Sequence, residues 1–292
     1  MARIALVGPG AVGGVIAAWL GQTGRHQVTV CARRPIDALH VETPQGPLVA
    51  RPAVLTAPEQ AGPVDWVLVA TKAYDAAGAA VWLQRLAARG APVAILQNGV
   101  EHRERFAPYL PAGQLVPVMV DCPAERTDPT HIRQRGTAKL VVQDDAHGRE
   151  LVALFAGTPV EASVTPDLKS AVWRKLCLNS SGVINALILQ PTAALHDEQL
   201  GDLLKAMVEE CMAVGRAEGA VFEAGLAEKI LQMNRHAPPD SVNSIQADRA
   251  AGRPMEIDAR NGVIVRLGRK HGIPTPHNQM AVALLAAMAR GK

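Results

Sequence analysis

Cysteine, aromatic rings and long apolar runs are all scarce in this chain, and each scarcity argues against a class of function. The four cysteines, Cys31, Cys122, Cys177 and Cys211, lie far apart and form no C-x-x-C pair. Neither a metal site nor a disulfide framework is therefore expected, and the thiols fit a reduced cytoplasm. Three Phe, two Tyr and four Trp are too few for base stacking, and the net charge of +3 is spread without a basic run, which argues against nucleic acid as a partner. No run of about 18 apolar residues occurs, and the apolar start is broken by glycines instead of leading to a cleavage site, so neither membrane insertion nor export is expected. What is present, 292 residues with 48% hydrophobic and 20% charged content, describes a globular protein of roughly two domains with a sizeable core. A cytoplasmic location is expected.

The first fourteen residues organise the rest. Arg3 to Val7 is a short apolar run that stops at Gly8 and reads as a buried parallel strand. Gly8, Gly10 and Gly13 supply the G-x-G-x-x-G spacing, and Val15 to Leu20 reads as the apolar helix that follows. Gly8 allows the tight turn, Gly10 lets a pyrophosphate approach the backbone, and Gly13 lets helix and strand pack closely. The phosphates are expected on the helix N-terminus, at Ala11 and Val12, where N–H groups lack partners. A second strand, Gln27 to Ala32, runs straight into Arg33-Arg34, with no carboxylate before Asp37. An acidic residue there would hold a ribose 2′-hydroxyl, whereas arginine accommodates a 2′-phosphate, so NADP is expected over NAD.

Strands and helices alternate through the first half. Leu48 to Leu55 reads as a peripheral strand or hairpin, Val64 to Ala70 as a third buried strand, Ala76 to Ala88 as a helix ended by Gly90, and Pro92 to Leu96 as a fourth strand. These strands deliver Thr71-Lys72 and Gln97-Asn98-Gly99 to their carboxyl ends, the edge where open α/β sheets bind ligands. Leu115 to Val120, Ala138 to Gln143 and Val160 to Val164 read as further strands, antiparallel or mixed because their connections look too short or irregular for full helices. From Asp167 the periodicity is helical only: 168–189, 196–215, 224–233, 244–250, 255–271 and 277–289. The expected architecture is an α/β, Rossmann-type, mostly parallel sheet over 1–167, followed by an all-helical domain over 168–292.

In the helical half, Lys175 and Asn179 stand four residues apart and share a helix face otherwise lined with apolar groups. Polar groups also gather along Asn243 to Asp248 and Glu256 to Asn261. From spacing alone, solvated helix faces explain these residues as well as a site does.

The Gly8 to Gly13 fingerprint, Thr71-Lys72-Ala73, Gln97-Asn98-Gly99-Val100, Trp173-Arg174-Lys175-Leu176, Asn243 to Asp248, and Glu256-Ile257-Asp258 with Gly262 together resemble the ketopantoate reductase family, the 2-dehydropantoate 2-reductases. The resemblance spans nearly the whole chain. It implies a Rossmann domain followed by a helical domain with the site in the cleft, and NADPH-dependent reduction of a 2-keto acid, 2-dehydropantoate (ketopantoate) to pantoate, by hydride transfer with a lysine as general acid. It further implies Lys175 as the catalytic lysine with Glu256 as its partner, Asn98, Asn179 and Ser244 as substrate ligands, and Arg33, Lys72 and Asn98 as residues that contact NADP or order the active site. A homodimer is left open. A cationic donor near the keto oxygen would polarise it and supply the proton that hydride transfer requires.

One departure bears on the substrate. The family usually places a second asparagine four residues after the first, whereas Asn185 follows Asn179 by six. At 100° per residue that is off-face by about two-thirds of a turn, unless the helix is kinked near Gly182. A kink would return Asn185 to the substrate; a regular helix, the case the reading favours, would put Val183 there and suit another 2-keto acid. A dinucleotide-binding regulatory protein without catalysis, and a dehydrogenase of another class, remain as alternatives.

Overall fold

The computed structural model describes residues 1–290, and the chain divides into two compact units, Met1–Leu168 and Lys169 onward. The first unit opens with β1 (Arg3–Val7), α1 (Ala11–Gln22), β2 (Gln27–Cys31), β3 (Leu39–Thr43), β4 (Gly46–Ala50), β5 (Ala53–Leu55) and β6 (Trp66–Val69). It continues through α2 (Ala76–Leu86), β7 (Val93–Ile95), α3 (His102–Phe106), β8 (Leu115–Asp121), β9 (Ala124–Arg126), β10 (His131–Gln134), β11 (Lys139–Gln143), α4 (Ala146–Leu154) and β12 (Glu161–Thr165).

An eight-stranded sheet in the order β12-β11-β8-β7-β6-β1-β2-β5 carries the unit. Every neighbouring pair is parallel except β8 with β11. The chain leaves β1 toward β2 and β5, then crosses back to β6, β7 and β8, so strand order reverses between β1 and β6; such a reversal opens a crevice at the carboxyl ends of those strands. The central strands are apolar without alternation because both faces are covered. Ile4 and Leu6 of β1 join one core cluster, while Ala5 and Val7 join the other with Val67, Val69, Leu83 and Phe106.

Helix α1 is apolar all round, buried from Gly13 through Leu20, and a second sheet explains why. This four-stranded sheet, β4-β3-β10-β9, covers α1 on the side away from the main sheet. A Cβ on Gly14 would lie 2.1 Å from Ile132 Cδ1, and Trp19 Nε1 donates to Gln134 Oε1 at 3.0 Å. The expected peripheral hairpin is therefore shifted: the hairpin pairs β3 with β4, and 48–55 is divided between β4 and β5, which joins the edge of the main sheet beside β2. β3, β9 and β10 escape sequence reading because each offers few apolar side chains; Ile132 is the single aliphatic residue of β10. The link from β11 to β12 also contains a full helix, α4, started by the Asp145 carboxylate accepting from Gly148 N at 2.8 Å.

The second unit holds α5 (Leu168–Ser181), α6 (Val183–Ile188), α7 (Glu198–Ala217), α8 (Leu226–Arg235), α9 (Ser244–Ala250), a π turn (Asp258–Gly262), α10 (Val263–His271) and α11 (Pro276–Arg290). It contains no strand among the described residues. Two expected helices are interrupted: the one over 168–189 breaks at Gly182, and the one over 255–271 starts with a π turn, in which Gly262 N donates to Ile257 O at 2.9 Å. A buried polar chain ties these irregularities to the core. Asn261 Nδ2 donates to Ser180 O at 2.9 Å and Asn278 Oδ1 at 2.8 Å, and Asn278 Nδ2 donates to Met207 O at 3.1 Å and Glu210 Oε2 at 2.7 Å. Among the described residues, no helix is long and apolar enough to cross a membrane.

Candidate active site

The glycine loop divides its tasks between the protein and a ligand. Gly8 adopts φ +90°, and a Cβ there would lie 2.7 Å from Thr71 Cγ2 and 2.8 Å from Thr71 N. A Cβ on Gly13 would lie 2.3 Å from Gly8 O. These two glycines are required by the fold itself, which brings the ends of β1 and β6 together. Gly10 differs, because a Cβ there would meet nothing within 4 Å. The space over Gly10 is a cradle that the protein leaves open at the start of α1, whose first turn, including Ala11 and Val12, carries no acidic side chain. A pyrophosphate fits that arrangement, since the first helical N–H groups have no intrahelical acceptor and the helix dipole favours an anion. Gly8 N donates to Cys31 O at 3.2 Å, which joins the loop to the end of β2. Just past that end, Arg33 and Arg34 are exposed, and neither guanidinium is engaged in a hydrogen bond or ion pair among the described residues. Burial pushes the Cys31 thiol up to about 12, so it stays a neutral packing group.

The ends of β6 and β7 are stitched to one another. Gln97 Nε2 donates to Thr71 Oγ1 at 3.0 Å and to Lys72 O at 3.3 Å, and Arg105 Nη1 donates to Asn98 O at 3.1 Å. Gly8, Thr71-Lys72 and Gln97-Asn98 thus share one edge through direct contacts. Gln97 Oε1 is buried without a hydrogen-bond partner, a polar atom available to a ligand group or a water. His102, missed at the sequence level, stands behind this edge. It is fully buried, its Nε2 lies 2.9 Å from Gln97 O, and burial lowers its pKa to about 4. The neutral ring donates Nε2–H to that carbonyl and holds the turn before Asn98. A histidine opening the short, charged α3 gave no periodic signal that could have marked it.

In the helical unit, Lys175 and Asn179 are half-buried on α5, one turn apart. Beyond Asn179 the helix tightens, with Gly182 N donating to Asn179 O at 3.2 Å, and then restarts as α6. The break releases carbonyls that other side chains capture. Arg260 Nη2 donates to Asn179 O at 2.5 Å, Asn261 Nδ2 to Ser180 O at 2.9 Å, and Asn243 Nδ2 to Gly182 O at 2.9 Å. Two successive residues of the π turn therefore bind two successive carbonyls of α5, which a regular helix would not let adjacent side chains do. Gly182 permits the approach: a Cβ there would lie 3.1 Å from Asn243 Nδ2 and 3.3 Å from Arg260 Nη2.

Ser244, the first residue of α9, is exposed, and Arg260 Nη1 reaches its Oγ at 3.4 Å. Glu256 is only 6% exposed. Its carboxylate and that of Asp248 raise the Arg260 pKa against the stronger effect of burial, which pulls the guanidinium down to about 10. Asn179, Ser244 and Glu256, from three separate stretches, are thereby gathered around one buried arginine that was not singled out in the sequence.

Asn185 has another occupation. It is 1% exposed, and its Nδ2 donates to Gln190 O and Pro191 O, both at 3.0 Å, across the left-handed turn at Leu189 (φ +54°). Arg249 joins it there, donating from Nη1 to Ala186 O and, at 2.8 Å, to Leu187 O. The break expected as one alternative is present, and the Asn185 amide nitrogen donates to backbone carbonyls just beyond the end of α6. Val183 is fully buried as well.

Comparisons with known proteins show what the chain as a whole is similar to. The family model described as ketopantoate reductase PanE/ApbA matches residues 4–147, and its C-terminal counterpart matches residues 167–289. A 2-dehydropantoate 2-reductase of Caulobacter vibrioides is 51% identical over 289 residues, covering 99% of this chain and 100% of that protein. One from Mycobacterium tuberculosis is 39% identical over 290 residues, covering 99% and 98%. Among solved structures, a PanE/ApbA family ketopantoate reductase from Ralstonia eutropha superposes with a TM-score of 0.90 at 32% identity, covering 99% of both chains. With the two family models matched in order over most of the chain, and a 51% identical relative covered from end to end, the chain belongs to the ketopantoate reductase PanE/ApbA family.

Proposed function

We propose that the protein is an NADPH-dependent reductase of 2-dehydropantoate (ketopantoate), producing pantoate. The observation that carries this reading is the 51% identity to a 2-dehydropantoate 2-reductase over 99% of this chain and 100% of that protein. NADPH, when bound, supplies the hydride that the keto carbon receives. The open cradle at Gly10, the N-terminus of α1 and the unengaged Arg33 support binding of its phosphates, with the arginine suited to a 2′-phosphate. Lys72 and Asn98, at the same sheet edge, are assigned to the cofactor and to the substrate-facing end of that edge.

Lys175 is the proton donor. Its ammonium polarises the keto oxygen, stabilises the negative charge that develops there, and passes a proton to it, so the carbonyl ends as an alcohol. Glu256, held in a buried position in the same unit, orients the ammonium. Asn179 and Ser244 bind the carboxylate and hydroxyl oxygens of the substrate as neutral donors. Asn185 takes no part.

A panel assay tests this reading. Purified protein is given ketopantoate, 2-ketoisovalerate and simple alcohols with NADPH and with NADH. Ketopantoate with NADPH should give the highest kcat/KM. Absence of turnover on every keto acid would exclude the catalytic reading and leave a dinucleotide-binding protein, and preference for 2-ketoisovalerate would reassign the substrate.

A further inference from the structure

The proposed reaction makes no use of Arg260, yet the fold buries this charged residue. Its guanidinium is 3% exposed, and its Nε is buried with no hydrogen-bond partner among the described residues. A buried cation with an unused donor is unfavourable unless something else is gained by keeping it. The surroundings are shaped for it. Glu256 and Asp248 supply opposing charge, Gly182 leaves room at Nη2, and the π turn aims the side chain at α5. Its two ends touch the two residues assigned to the substrate: Nη2 at the Asn179 carbonyl, 2.5 Å, and Nη1 at the Ser244 hydroxyl, 3.4 Å.

The polarity of these contacts has a chemical consequence. A guanidinium can only donate, so Ser244 Oγ can only accept from it, and the hydroxyl proton is left to point elsewhere. An anionic keto acid needs donors, and a serine held in this way is a donor. At Asn179 the same guanidinium fixes the carbonyl of the last regular turn of α5, and with it the direction in which the Asn179 side chain leaves the helix.

We propose that Arg260 is a positioning residue for substrate binding: it spans the break of α5 and the start of α9, setting the spacing of Asn179 and Ser244 and presenting the Ser244 hydroxyl as a donor to a carboxylate substrate. This rests on the reading of Asn179 and Ser244 as substrate ligands in a keto-acid reductase. The role lies in KM, because the hydrogen bonds of Arg260 go to Ser244 and Asn179, the two residues assigned to holding the substrate.

The test is a double-mutant cycle on the intact enzyme, with kcat and KM for ketopantoate at saturating NADPH in the native protein, Ser244→Ala, Arg260→Met and the double variant. Arg260→Met should raise KM roughly ten- to hundredfold with kcat within a few fold, while NADPH affinity by fluorescence titration stays unchanged. The double variant should be close to the worse single variant, since both substitutions dismantle one unit. Independent, multiplicative effects, or an unchanged KM in Arg260→Met, overturn the proposal. Should Arg260→Met fail to fold, the cycle is run with Arg260→Lys, which keeps the charge but reaches only one of the two oxygens; there a native KM overturns it and a raised, non-additive KM supports it. A native enzyme inactive on every keto acid would instead bring down the functional reading and this inference with it, an outcome distinct from an active enzyme with an additive cycle.

Discussion

The two units each carry candidate functional residues, and they present them by different means. The first presents backbone: a glycine loop, a helix N-terminus and turns at the carboxyl ends of parallel strands, with Gly10 left open and Gly8 and Gly13 closed by contact. The second presents residues from three distant stretches, Asn179, Ser244 and Glu256, gathered about Arg260. A backbone site is specified locally, by glycines within six residues of one another. A side-chain site depends on packing, here on a helix break and a π turn that bring its members into register.

Substitutions confined to one unit should therefore separate chemistry from cofactor binding. Lys175→Ala is the largest expected effect: turnover should fall by about 10²- to 10⁴-fold with NADPH affinity retained. Survival of turnover within a few fold would move the proton donor elsewhere and erase the division of labour.

His102 tests the first unit through pH. Its folded pKa is lowered to about 4 from an ordinary value of 6.5, so the folded state binds fewer protons than the unfolded state between those values. The associated stability is complete above about pH 6.5 and is lost as pH falls toward 4, up to on the order of 3 kcal/mol at about 1.4 kcal/mol per pH unit. Urea unfolding at pH 7 and pH 5 should show this loss in the native protein and a smaller one in His102→Gln. Equal losses would remove His102 from the account of the sheet edge.

Arg33→Ala should raise KM for NADPH roughly ten- to hundredfold and leave KM for NADH almost unchanged, as expected for one charge-assisted contact to a 2′-phosphate. Equal effects on both cofactors would assign the arginine to a solvated loop. The smallest and sharpest test contrasts two glycines. Gly10→Ala should weaken NADPH binding about tenfold by filling the cradle while leaving Tm unchanged, since its Cβ meets no protein atom within 4 Å. Gly8→Ala should also lower stability by about 1–3 kcal/mol, because it places a side chain at φ +90° against Thr71. A Tm loss in Gly10→Ala as large as that in Gly8→Ala would show that the loop serves only the fold.

Legibility in the sequence followed the same division. β1, α1 and β2 could be read because apolar runs, glycine spacing and strand ends are local signals. The side sheet could not, since β3, β9 and β10 become buried only by covering α1, and a strand such as His131–Gln134 with one aliphatic residue carries no run to recognise. In the helical unit the positions of Lys175 and Asn179 on one face followed from a spacing of four. The role of Asn185 did not: a regular helix was favoured, whereas Asn243, Arg260 and Asn261 capture the carbonyls of the break at Gly182.

The sequence by itself determined what rests on covalent geometry and local periodicity: a dinucleotide loop whose glycines reach conformations other residues avoid, an arginine in place of a carboxylate after β2, and a change from alternating to helical periodicity near residue 167. Only the tertiary structure decided what rests on where polar groups find partners. A buried carbonyl or guanidinium must be satisfied by whatever folding brings near it. For that reason Asn185 was drawn into the turn after α6, His102 into the sheet edge behind Asn98, and Arg260, an unremarkable position in the sequence, into the centre of the polar cluster.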